Sequence, residues 1–133
     1  MKLTRASSYA LHAVAFMAAQ KQNKPVASHL IAKARGIPER FLLKVLKPLV
    51  GARVLISIKG PNGGYKLARA ANDITMLEIL EAVDGPIRGL SPFTQTEGES
   101  KLDQRLEAIC NQTADQMRKA LQKVRISELL GKG

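Results

Sequence analysis

Arg40, Lys44 and Lys47 recur at four- and three-residue steps in "IPERFLLKVLKPLVGA". A helix would place them on one face, with Glu39 and Leu43 beside them. Guanidinium and ammonium groups on such a face can contact guanine O6 and N7, and a carboxylate can accept from cytosine N4. The same cations could equally hold phosphates, which position a protein on a duplex without reading its sequence. A fourth cation, Lys59, lies in "ISIKGPNGGYKLA" (residues 56–68), whose centre, Gly60-Pro61-Asn62-Gly63-Gly64, has no apolar side chain but proline. Such a loop could cradle a phosphate or reverse a strand. A nucleotide-type phosphate loop needs Gly-Lys-Ser/Thr and a following helix. Here the strand-like Tyr65-Lys66-Leu67 follows instead, so the expectation is a β-hairpin turned by glycine and Pro61-Asn62.

Several elements must position these groups. In "LTRASSYALHAVAFMAAQ", Ala6, Tyr9, Ala10, Ala13, Val14 and Met17 form a helical stripe, with Thr4 as N-cap. "KQNKP" breaks that pattern. "VASHLIAKARG" reads as a short helix capped by Ser28 and ended by Gly36. In the third helix Pro38 suits the first turn, and Phe41, Leu42, Val45, Leu46 and Leu49 share an apolar face. Pro48 predicts a kink or an early end. "RVLISI" and "YKLA" read as the hairpin strands. Thr75 and Glu78 form a capping box for "TMLEILEAVDG". "PIRGLSPFTQTEGES" has no period and reads as a long loop. Leu102, Leu106, Ile109, Thr113, Met117, Leu121 and Val124 then predict a long amphipathic helix with a coiled-coil-like seam, and "ISELL" a short apolar end.

Composition narrows the function classes. A length of 133 residues is one domain's worth, and 45% hydrophobic residues can form a core. No stretch approaches the ~18 apolar residues of a membrane span. Ser7, Ser8 and His12 break the apolar part after the start, so no secretory signal is expected and the protein is read as cytoplasmic. The net charge is +10, unevenly spread. Residues 1–70 hold 13 Lys/Arg against one acid, Glu39, hence +12; residues 71–133 hold 8 against 10, hence −2. Surface charge that serves solubility mixes signs, whereas a one-sided basic field attracts a polyanion and gains from counterion release.

Three helices followed by a hairpin give a mainly α fold, a winged helix-turn-helix, with "RGIP" as the turn and the third helix as the major-groove reader. The hairpin is then a wing. It carries Lys59 to the backbone or to a narrow minor groove, and its glycines permit close approach. Residues 1–85 form the DNA-binding domain, 86–101 a linker, and 102–133 a dimerisation helix with a C-terminal segment.

"MKLTRASSYALHA", "IPERFLLKVLKPLVGARVL", "GPNGGYKLA", "ITMLEILEAVDGP" and "ISELL" resemble, in order and spacing, the Rrf-two family of bacterial transcription regulators. The resemblance implies a dimeric winged-helix DNA binder that pairs through its long C-terminal helix. It implies DNA contacts near Thr4, Arg5, Tyr9 and Ser28, along the reader helix, and from Lys59 through Gly60, Pro61, Asn62, Gly63 and Gly64 to Tyr65. Cluster-binding members carry three closely spaced cysteines between the short helix and the long one. Here "GPIRGLSPFTQTEGESKLDQRL" holds neither Cys nor His. Thiolates, with imidazole as an occasional substitute, hold iron–sulfur clusters. Glu97, Glu99 and Asp103 are hard oxygen donors poorly suited to that role. No cofactor and no metal are therefore expected.

The single cysteine, Cys110, excludes an internal disulfide. It is read either as an inert packing residue or as a thiol redox sensor. His12 and His29, isolated on separate helices, read as surface or packing residues. The leading expectation is a homodimeric regulator, a repressor on a pseudo-palindromic promoter site. The alternative is a regulator acting through a partner protein, or a thiol redox sensor using Cys110; a partner protein or small-molecule effector is the further partner expected beside DNA. No nucleophile–base pair, paired carboxylate site or cofactor loop suggests an enzyme.

Overall fold

The computed structural model describes residues 1–89 and 101–131. Helices α1 (Arg5–Ala18), α2 (Ser28–Arg35) and α3 (Glu39–Gly51) precede strands β1 (Leu55–Ile58) and β2 (Gly64–Leu67). A single 3-10 turn (Ala71–Asp73) leads to α4 (Met76–Asp84), α5 (Lys101–Gln122) and α6 (Ile126–Leu129). The strands pair antiparallel, with Leu55 opposite Leu67 and Ile58 opposite Gly64. This mainly helical chain with one hairpin is the winged-helix arrangement that the sequence predicts.

The stripe of α1 delivers Ala10, Ala13, Val14 and Met17 to the core, where they meet Ile31 of α2, Leu42, Val45, Leu46 and Leu49 of α3, and Leu55 of β1. Thr4 caps α1, its hydroxyl accepting from the Ser7 amide at 3.0 Å. Gly36 ends α2 with φ 65°, as a C-terminal glycine should. Thr75 and Glu78 make the expected capping box: the Glu78 amide donates to Thr75 Oγ1 at 3.2 Å and the Thr75 amide to Glu78 Oε2 at 2.8 Å.

Four local expectations need correction. Ser28 does not cap α2. Ala27 is the N-cap, and Ser28 is the first helical residue, its hydroxyl free to bond elsewhere. Pro38 precedes the first turn of α3 as its N-cap, and its carbonyl accepts from the Phe41 and Leu42 amides at 3.0 Å each. Of the kink or early end expected at Pro48, the early end does not occur: α3 continues to Gly51. The helix forgoes the bond from residue 48 to the Lys44 carbonyl, and Leu49 beyond it is wholly buried. Phe41 is not core: the residue is 39% exposed. It lies about 100° round the helix from Leu42, at the edge of the arc that Leu42, Val45, Leu46 and Leu49 fill. Arg40 and Lys44 cover its ring instead, at 4.9 and 5.7 Å from the centroid.

The end of α3 is a Schellman turn: Arg53 donates to Val50 and Val54 to Leu49, both at 3.0 Å. The left-handed position, φ 62°, falls on Arg53 rather than glycine. Arg53→Gly is therefore expected to raise stability by about 0.5 kcal/mol, as relief of a left-handed residue outweighs the extra chain entropy of glycine. Arg53→Val should lower it by more than about 1 kcal/mol. Urea midpoints of the two variants check both signs. The Arg53 carbonyl also receives Arg69 Nε at 3.2 Å, while the Arg69 guanidinium reaches the Asp73 carbonyl and pairs with Glu78. One side chain thus ties the α3 end, the 3-10 turn and α4.

The chain end returns to this body. The Ile126 amide donates to the Ile74 carbonyl and the Met76 amide to Val124, both at 2.9 Å, and Ile126 is fully buried. In α5, Leu121 packs with Leu77 and Leu80 of α4, joined by Met117. The first half of α5 lacks such cover: Leu102, Leu106 and Ile109 are 63%, 42% and 58% exposed.

Candidate nucleic-acid interface

The apolar arc of α3 is buried, so its opposite side must face outward. Glu39, Arg40, Leu43, Lys44 and Lys47 are all exposed there. Glu39 stands in the first turn, where an N-terminal acid suits the helix dipole. The Ser28 hydroxyl, at the start of α2, donates to Glu39 Oε2 at 2.8 Å. This bond brings together two residues predicted as DNA contacts and sets the N-terminal ends of α2 and α3 side by side.

The wing is fixed to the same place. Tyr65 and Val26 exchange backbone bonds of 2.9 and 2.8 Å, so the segment before α2 adds a bridge to the free side of β2. Asn23 extends that edge: its amide nitrogen donates to the Leu67 carbonyl at 3.1 Å, and its amide oxygen accepts from the Leu67 amide at 3.2 Å. A Cβ on Gly64 would lie 2.3 Å from the Val26 carbonyl oxygen, closer than real side chains come. Gly60 to Gly63 make the tip, closed by a 3.0 Å bond from the Gly63 amide to the Gly60 carbonyl. A Cβ on Gly63 would fall 2.1 Å from the Ile58 carbonyl oxygen. Lys59, Pro61 and Asn62 are exposed on this tip, and Tyr65 is half-buried against the core.

The N-terminal residues are more committed. The Thr4 hydroxyl lies 2.9 Å from both Asp84 carboxylate oxygens, and the buried Ser7 hydroxyl donates to the same carboxylate. Asp84 at the end of α4 thus holds the start of α1. Arg5 is exposed beside it, whereas Tyr9 packs partly against the core. Sequence reading did not single out Asn23, Val26 or Asp84. Pro25 was the available signal for an extended segment there, since Lys24 before it favours extended backbone, but it does not mark which neighbours bond to β2.

Charge is distributed unequally over these elements. The ion pairs Arg69–Glu78 and Arg118–Glu81 involve no side chain of α3, of the hairpin strands or of the wing tip. Arg5, Arg40, Lys44, Lys47 and Lys59 take part in neither pair. The surface formed by α3, the start of α2 and the wing is therefore cationic, with Glu39 as its one acid.

The remaining candidates lie elsewhere. Cys110 is half-buried on α5, and the Gly89 backbone packs against the backbone of Cys110 and Asn111 so closely that a Cβ would meet it at 2.2 Å. The Ile87 amide donates to Glu81 Oε2 at 2.9 Å. Linker residues 90–100, with Glu97 and Glu99, lie outside the described residues. His12 and His29 are exposed on separate helices. No helix among the described residues is long and apolar enough to cross a membrane.

Comparison with known proteins agrees with this geometry. The chain is 34% identical over 111 residues to an rrf2-like HTH-type transcriptional regulator of Rhodobacter capsulatus, covering 81% of this chain and 74% of that one. It is 33% identical over 87 residues to an HTH-type regulator of Mycobacterium tuberculosis, covering 65% of this chain and 54% of the relative. The chain thus spans about half the length of that mycobacterial relative. CymR, the global cysteine regulator of B. subtilis, superposes with a TM-score of 0.75 at 25% identity, over 98% of this chain and 96% of that one. The family described as Rrf2, iron-dependent transcriptional regulator, matches residues 3–132. With a helix-turn-helix, a hairpin and a cationic outward face on α3, and a family match over residues 3–132, the chain belongs to the Rrf2 family of DNA-binding transcriptional regulators, which are not enzymes.

Proposed function

We propose that the protein acts as a homodimer that represses transcription by occupying a pseudo-palindromic promoter site. The carrying observation is the outward cationic face of α3, held beside a glycine wing that is pinned to the start of α2. Such a helix fits the major groove, and helix N-termini favour nearby phosphates. Residues 1–85 would form the DNA-binding unit and 102–133 the pairing unit, joined by 86–101. In this reading Arg40, Lys44, Lys47 and Glu39 face the groove. Lys59 with Gly60 to Tyr65 approaches the flanking backbone or minor groove, and Thr4, Arg5, Tyr9 and Ser28 lie at its margin.

Pairing rests on Leu102, Leu106 and Ile109. These side chains share one exposed flank of α5, in a half of the helix with no buried side chain. Burying them against a second copy would remove their apolar surface from water. Two reader helices related by a two-fold axis then meet half-sites about one DNA turn apart.

The family description names iron, so the donor set matters. Clusters are held by thiolates. This chain has one cysteine, and among the described residues no three His, Cys, Asp or Glu side chains come together to hold a metal ion. The residues do not fit a cluster held within one chain, and the regulation proposed here does not pass through one.

Salt titration of binding to promoter fragments tests the reading. With about five phosphate-contacting cations per subunit, log K should fall with log salt at a slope of about −4 to −5 per subunit. Lys59→Ala should reduce that slope by about 1 per subunit while leaving the preferred sequence unchanged. A flat salt profile in fluorescence anisotropy would refute DNA binding by this surface.

A further inference from the structure

Glu39 is the one acid among residues 1–70, yet it stands exposed at the start of α3. A carboxylate on a surface that approaches phosphates costs affinity through like-charge repulsion. It is also not free to turn away, because Ser28 Oγ holds its Oε2 at 2.8 Å. That bond occupies one carboxylate oxygen and leaves Oε1 as an acceptor. Reader helices contact base edges chiefly with their N-terminal residues, and Glu39 is the first residue of α3. In the major groove, cytosine offers the N4 amine as a donor, whereas thymine at the same place offers the O4 acceptor, which repels a carboxylate.

We propose that Glu39 is a selector rather than an anchor: it accepts from cytosine N4 at one position of each half-site and disfavours thymine and guanine, which present acceptors there. Ser28 is its positioning residue. The inference rests on the DNA-binding reading above and assigns this surface its discriminating group. A carboxylate placed only to complement the α3 dipole would affect stability and leave base preference alone.

The test begins with selection of binding sites by the full-length protein from a randomised duplex library. Affinities are then measured for the selected site and for its single-base variants, using wild type, Glu39→Gln, Ser28→Ala and Ser28→Thr. Wild type should prefer cytosine over thymine at one position per half-site by on the order of tenfold or more. Glu39→Gln should flatten that preference and bind the thymine and guanine variants more tightly than wild type does. Ser28→Ala should weaken the same preference, and Ser28→Thr, which keeps the hydroxyl, should restore it. Thermal melts confirm that the variants are folded, and a variant that melts early is replaced by Glu39→Asp, which shortens the reach and should also blunt the preference. If base preference at every position is unchanged in the Glu39 variants, or if Glu39→Gln weakens all sites equally, the selector role is wrong. If wild type selects no sequence at all, the regulator reading itself has failed.

Discussion

Gly64→Ala is expected to lower stability by about 2–4 kcal/mol and to release the wing from α2. The added Cβ would sit 2.3 Å from the Val26 carbonyl oxygen, 2.4 Å from its carbon and 2.8 Å from the Ala27 nitrogen. All three are backbone atoms, so no flexible side chain can yield. The residue also has φ 146°, which alanine rarely adopts. Relief requires opening the Val26–Tyr65 bridge, whose two bonds of 2.9 and 2.8 Å, beside the Asn23–Leu67 pair, tie the wing to the segment leading into α2. A small domain has about 5–15 kcal/mol in total, so the loss is a large share. Urea unfolding gives the stability change. Hydrogen exchange at the Val26 and Tyr65 amides shows whether the bridge has opened. A variant as stable as wild type, with both amides still protected, would contradict the close approach.

Ile109→Asp is expected to prevent pairing and to cut affinity for a duplex with two half-sites by about 10²–10⁴-fold, the usual gain from joining two binding units. Ile109 is 58% exposed in the single chain, so a charge there costs the lone subunit little. Facing the same residue of a second copy, the charge would have to be buried without a partner. Sedimentation should show a dimer for wild type and a monomer for the variant. The melting temperature should depend on concentration only for wild type, because association stabilises by mass action. A wild-type chain that sediments as a monomer would remove the basis for the two-half-site mechanism.

Both predictions concern features whose legibility in the sequence differs. The wing was readable because Gly60 to Gly64 leave the chain few alternatives to a turn between β-branched runs. The α5 stripe was readable as a period, but the structure divides it. Leu121 packs on α4, Met117 joins it half-buried, and Leu102, Leu106 and Ile109 remain outside. Ala114, buried between them, lay outside the predicted stripe. Periodicity reports that a face is apolar, not which neighbour covers it.

Local and chemically specific features were therefore fixed by sequence alone. These are the order of three helices and a hairpin, the Thr4 cap, the Thr75–Glu78 capping box, the Gly36 end of α2 and the +12 charge of the first half. Each depends on residues within a few positions of one another, or on composition. Tertiary structure decided what depends on distant partners. It turned Phe41 out of the core, because Leu42, Val45, Leu46 and Leu49 fill the inward arc of α3. It put Ser28 inside α2 as its first residue rather than at its cap, and the Ser28 hydroxyl went to Glu39, eleven residues away. It joined Asn23 and Val26 to β2, Thr4 and Ser7 to Asp84, and Ile126 to the core across most of the chain. No local pattern encodes such contacts, since their free energy arises only when folding brings the partners together and the entropy of closing those loops has been overcome.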